Sequence, residues 1–115
     1  MYPSLNLPSA ALKLSKEGDD FFVWCVIRRK KLLLTPEEWV RQHWIHYYLT
    51  VKSYSVSALI TEKKIVLNGL TKRIDLLITE KTQPKILIEC KAPEINLNLK
   101  VVQQIIHYNN QLQVP

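Results

Sequence analysis

The chain is 115 residues long, 47% hydrophobic and 23% charged, with a formal net charge of +6 and a pI of about 9.4. That length supports one domain around a single core, and the positive balance favours a polyanionic partner. Both cysteines fall in apolar segments and read as buried thiols. With no signal peptide and no apolar run long enough to cross a bilayer, the expected setting is cytoplasmic, without a membrane partner.

Residues 1–20 are polar and irregular, with a turn at Gly18-Asp19-Asp20, and are expected to form an N-terminal arm ahead of a domain spanning 21–115. Phe21 to Ile27 reads as a strand, and the basic run Arg28-Arg29-Lys30-Lys31 as a solvated loop. Thr35-Pro36-Glu37-Glu38 is a helix start: Thr35 caps, Pro36 takes the first helical position and Glu38 closes a capping box. The helix is predicted to reach about Leu49, with Val40, Trp44, Tyr47 and Tyr48 inward and His43 and His46 on a wet face. A strand follows near Ser57–Leu67 and breaks at the Asn68-Gly69 turn. Two more strands carry Asp75 and Glu89, joined by the polar link Glu80-Lys81-Thr82-Gln83-Pro84. Beyond Pro93, Asn98 caps a last helix with Val101, Ile105, Tyr108 and Leu112 at helical spacing. His107 lies in that helix and is given no role. Repeats, low-complexity tracts and linkers are absent.

The chemistry concentrates in TKRIDLLITE and KILIECKAP. Successive side chains of a strand point to opposite faces, so Glu89 and Lys91 share one face while Ile86, Ile88 and Cys90 share the other. Ile74, Leu76 and Ile78 form the matching apolar row, and Asp75 points away from it. If Thr79 sits opposite Lys85, Asp75 sits opposite Glu89; a two-residue shift sets it opposite Lys91. Directly opposed residues hold their Cβ atoms roughly 5 Å apart, so either register gathers two carboxylates and an amine. Leu77 and Leu87 share that face, which argues that it is covered. Two carboxylates can hold Mg²⁺, and a neighbouring lysine can act on a water or a phosphate. The same residues on an open face would be only an ordinary cross-strand ion pair.

A strand aspartate, then E-x-K, then a helix with Gln104 and Tyr108 four apart resembles the PD-(D/E)XK nuclease superfamily. More narrowly, LTPEEWVRQ, NGLTKRIDLLI, ILIECKAPE and QQIIHYN resemble the N-terminal nuclease-domain family of type I restriction enzyme R subunits, over roughly residues 20 to 115. The resemblance implies an α/β, restriction-endonuclease-like core with a central mixed sheet flanked by helices. It implies that Asp75 and Glu89 bind metal with the Cys90 carbonyl, and that Lys91 orients the attacking water and offsets charge. Gln104 and Tyr108 match the Q-x-x-x-Y pair that orders the site and contacts DNA, although Ile74 stands where the motif has proline. Glu38 (or Glu37) matches an acid that reaches metal through water. The Lys72-Arg73 pair beside Asp75 is the candidate phosphate contact.

The expected activity is Mg²⁺-dependent hydrolysis of DNA phosphodiester bonds, with Mn²⁺ as a substitute and other restriction-system subunits as partners. Without a P-loop, zinc-finger or helix-turn-helix pattern, the chain is not expected to move along DNA by itself. The family pattern continues into a further strand where this sequence stops at Gln113-Val114-Pro115. A truncated core, or cover supplied by a second copy, is therefore expected. Two rival readings are a non-catalytic nucleic-acid-binding or subunit-docking module on the same fold, and a plain structural domain.

Overall fold

The computed structural model describes residues 2–115. Its elements in chain order are β1 (Leu14–Glu17), β2 (Asp20–Cys25), β3 (Lys30–Leu33), α1 (Pro36–His46), β4 (Leu59–Leu67), β5 (Leu70–Glu80), β6 (Gln83–Ile88) and α2 (Leu99–Leu112). The backbone gathers into two compact units, one of residues 1–56 with 90–94, the other of 57–89 with 95–115. The architecture is α/β, with two three-stranded sheets, β1-β2-β3 and β4-β5-β6, and every strand pair is antiparallel. The expected mixed sheet is not what these strands build. Each strand is joined to its sheet neighbour by a short turn, and a short turn permits only antiparallel pairing.

In the first unit the expected arm gives way to strand at Leu14. β1 pairs with β2 from Leu14↔Val23 to Glu17↔Asp20, across the turn where Gly18 has φ +62°. Further upstream, the Tyr2 hydroxyl donates to the Leu34 carbonyl, and Trp39 Nε1 donates to that of Pro3. The basic run is also not all loop. Lys30 and Lys31 open β3, opposite Cys25 and Trp24, and exposed Lys31 pairs with Glu17 at 2.9 Å. Long basic side chains can line a strand while their charges stay in water.

α1 starts as its sequence requires, with the Glu38 amide donating to Thr35 Oγ1 at 3.1 Å. Its buried face differs from the expected one. Tyr48 is buried as expected, and Glu38, Arg41, Gln42 and Ile45 are buried at one-face spacing, whereas Val40, Trp44 and Tyr47 are only half-buried. The Glu38 carboxylate turns from the cap to its own helix, accepting from Arg41 Nε, from the other Arg41 fork and from Gln42 Nε2. A charged face that brings its own partners can be buried; a hydropathy reading assumes it stays wet. His43 is likewise buried rather than wet, donating from Nδ1 to the Trp39 carbonyl at 2.7 Å. The helix runs on into a π-turn, Tyr47–Val51, in which the Lys52 amide donates to the Tyr47 carbonyl. The rings of Trp44, Tyr47, Tyr48 and Tyr54 meet there at 5.3–6.0 Å.

In the second unit β4 and β5 form a long hairpin closed at Asn68-Gly69. Both residues have positive φ (50° and 76°), the geometry of a tight two-residue turn. Ile74, Leu76 and Ile78 are 0% exposed and Leu77 is 1% exposed, so β5 is covered on both faces around the proposed site. Ile65, Ile74 and Tyr108 make a buried cluster, with Leu67, Leu87 and Leu112 packed against it. α2 begins where Asn98 Oδ1 accepts from the Val101 amide. It ends at Gln113 (φ 54°), and the Asn109 side chain brackets Val114 through both its amide and its carbonyl. No helix among the described residues is long and apolar enough to cross a membrane.

Candidate active site

Asp75 sits mid-strand in β5, half-buried between fully buried Ile74 and Leu76. The ladder to β6 runs Ile78↔Ile86, Leu77↔Leu87, Leu76↔Ile88, and its next step sets Asp75 against Glu89, just past the end of β6. The Asp75 amide donates to Glu89 Oε1 at 3.2 Å. This is the first of the two registers the sequence allowed, reached differently. Thr79 pairs with Pro84 rather than Lys85, because an irregularity between Ile78 and Thr79 shifts the ladder by one residue. Such an irregularity lets proline into a strand without breaking a hydrogen bond. The link is also shorter than predicted: Glu80 pairs with Gln83 around Lys81 and Thr82, both at positive φ.

Beyond Glu89, burial alternates: Cys90 and Ala92 are buried, Lys91 and Pro93 half-buried. That is the period of an extended chain, as the E-x-K reading requires. Cys90 and Cys25 are both buried and unbridged. Residues 90–94 group with the first unit, so the E-x-K triplet spans the unit boundary in sequence.

On α2, Gln104 Nε2 donates to the Tyr108 hydroxyl at 2.9 Å, while the Tyr108 ring belongs to the buried cluster. The pair is thus a hydrogen-bonded unit anchored by packing. Lys72 and Arg73 are exposed on β5, and Arg73 lies directly opposite Lys64. Like charges opposed on a ladder repel, and a bound anion would relieve that repulsion. Glu37 is exposed in the first turn of α1, whereas Glu38 is held in its buried ion pair. His46 is held below the ordinary imidazole value by burial, and secondarily by His43.

Glu62 escaped the sequence reading. The β4–β5 ladder passes from Thr61↔Leu76 to Lys63↔Ile74 with Glu62 between, across from Asp75, and Glu62 has φ 56°. Counting back from the Asn68-Gly69 turn would have found it. Register therefore lines up Glu62, Asp75 and Glu89 on neighbouring strands. Even so, no group of three or more His, Cys, Asp or Glu side chains gathers to hold a metal among the described residues. The oxygen donors of Asp75 and Glu89 nonetheless suit Mg²⁺, which keeps most of its waters and needs only one or two carboxylates.

Residues 36–115, from the start of α1 onward, match the family described as type I restriction enzyme R protein N terminus. β1, β2 and β3 precede the matched region. Curated proteins and solved structures give no match. With most of its length matched, the half that carries Asp75, Glu89, Gln104 and Tyr108 included, the chain belongs to the N-terminal family of type I restriction enzyme R proteins.

Proposed function

We propose that this domain is a metal-dependent DNA endonuclease of the PD-(D/E)XK kind, with a restriction-endonuclease-like core, working within a type I restriction system. The observation that carries the reading is the meeting of Asp75 and Glu89 across one ladder step, tied by the 3.2 Å amide–carboxylate bond. Two adjacent carboxylates repel when both are ionised, and a bound cation would offset that repulsion.

Asp75 and Glu89 would hold Mg²⁺, with the Cys90 carbonyl as a further oxygen donor and Mn²⁺ as a substitute. The bound ion would acidify a water and offset charge on the phosphate. Lys91, two residues along from Glu89, orients that water by donating to it and balances charge on the phosphate oxygens. Gln104, half-buried and bonded to the Tyr108 hydroxyl, presents its remaining amide groups to the DNA, and buried Tyr108 holds it in place. Arg73, on the Asp75 face of β5, holds the phosphodiester by charge, whereas Lys72 takes the opposite face. Glu38 is left out of the set, since Arg41 and Gln42 already take its carboxylate.

The test is nicking of supercoiled plasmid with Mg²⁺ or Mn²⁺, beside EDTA and a folded Lys91→Ala variant. Metal-dependent nicking by the parent that falls at least a hundredfold in the variant supports the reading, and equal nicking by both refutes it. One observation favours a second reading: the Glu89 carboxylate is partly used on the Asp75 amide. A domain that keeps the fold but only binds DNA, or docks other subunits, would bind with strong salt dependence and never nick.

A further inference from the structure

α2 carries two stripes. Val101, Ile105, Tyr108 and Leu112 form the apolar one, centred on the buried cluster. Lys100, Gln103, Gln104, His107 and Gln111 form the other, entirely polar and at the spacing of a single helix face. That polar face opens onto two depressions. One, of about 280 Å³, lies among Lys72, Lys100, Gln103, Gln104, His107 and Tyr108. The other, of about 360 Å³, lies among Asn68, Leu70, Lys72, His107, Asn110 and Gln111. Leu67, Lys72 and His107 border both, so they form one groove between α2 and the β4–β5 hairpin. Neither depression is lined by an acidic side chain among the described residues, and α2 itself contains none.

We infer that this groove holds the sugar–phosphate backbone of a nucleic-acid strand, with Lys72 and Lys100 as phosphate contacts and the α2 amides and His107 as hydrogen-bonding partners. This rests on the nucleic-acid reading above and gives it a track beyond the motif residues. From Lys100 to Gln111 the polar face runs about 16 Å at the α-helical rise, roughly the axial rise of five nucleotides of one strand. A regular row of amides on a cationic wall suits a regular line of phosphate and sugar oxygens. An acidic peptide would call for more cations and fewer amides. The Gln104–Tyr108 pair lines the same wall. Contacts of this kind position a strand without reading its sequence.

The experiment is fluorescence anisotropy of a short labelled DNA duplex with the whole chain, in EDTA so that cleavage plays no part, across a series of salt concentrations. The variants are Lys72→Gln/Lys100→Gln and a control, Lys13→Gln/Lys30→Gln, which removes equal charge from the first unit. Circular dichroism checks that each is folded. Each lost phosphate contact flattens the slope of log K against log salt by about 0.9. The groove variant should therefore be flatter by about 1.8, so that between about 50 and 200 mM salt the parent loses roughly twelvefold more affinity than the variant. The control should keep the parent's slope. A groove variant with the parent's slope, a control that flattens equally, or a parent that binds no DNA would each overturn the inference. Plasmid nicking, read in parallel, separates the two claims. Nicking with an unaltered slope refutes the groove alone, and groove-dependent binding without nicking refutes the nuclease alone.

Discussion

Replacing Arg41 by Met should cost about 3–5 kcal/mol, the usual loss when one partner of a buried ion pair is removed. The structure puts α1 in that class. Both partners are under 10% exposed at their side chains, and Arg41 reaches the Glu38 carboxylate through two nitrogens. After the change, among the described residues Glu38 keeps only the neutral Gln42 amide of its three donors, at 3.0 Å. Gln42 has no slack to compensate, since its Oε1 is already buried without a partner among the described residues. The double variant Glu38→Met/Arg41→Met removes both charges and should cost less, about 1–3 kcal/mol, mainly for leaving Gln42 Nε2 without its acceptor. Equilibrium urea unfolding, followed by tryptophan fluorescence and circular dichroism, measures both. Against a typical total of about 5–15 kcal/mol the difference is easily read. A single variant costing under about 1 kcal/mol, or a double variant worse than the single, would refute the reasoning. The Glu38 carboxylate would then be screened and free for another role, and its exclusion from the metal set would lose its basis.

Two further expectations follow from the backbone and from titration. Lys81 and Thr82 form the β5–β6 turn at φ 51° and 65°, conformations that a β-branched residue adopts only under strain. Lys81→Asn/Thr82→Gly should raise unfolding stability by about 1–3 kcal/mol, and an unchanged or lower urea midpoint would contradict this. His46 is held below its ordinary value of 6.5, so the unfolded chain takes up a proton that the folded chain resists. Stability is then complete above about pH 6.5 and declines as the pH falls below it. His46→Gln should lose less stability than the parent between neutral and mildly acidic pH, and equal losses would rule His46 out as a source.

The legible parts of the fold share a physical basis. Asn68-Gly69, the Thr35 and Asn98 caps and the Gln104–Tyr108 spacing depend on groups within a few residues of each other. Their geometry follows from local hydrogen bonds and allowed backbone angles. The meeting of Asp75 and Glu89 was half legible. Parity assigned each its face, but two registers remained open, and the premise offered for the observed one, Thr79 opposite Lys85, does not hold. Glu62 was hidden because its relation to Asp75 passes through a ladder rather than a motif.

The sequence by itself determined the turns, the caps, the parity of the acid-bearing strands and membership in the restriction R-protein family. Tertiary structure decided that Lys30–Leu33 would be a strand, that the ladder would slip by one residue between Ile78 and Thr79, and that α1 would bury the charged Glu38 and Arg41. Each of these turns on which distant groups supply partners. A strand exists only beside another strand, a register only against its neighbour, and a carboxylate is buried at tolerable cost only once its donors are in place.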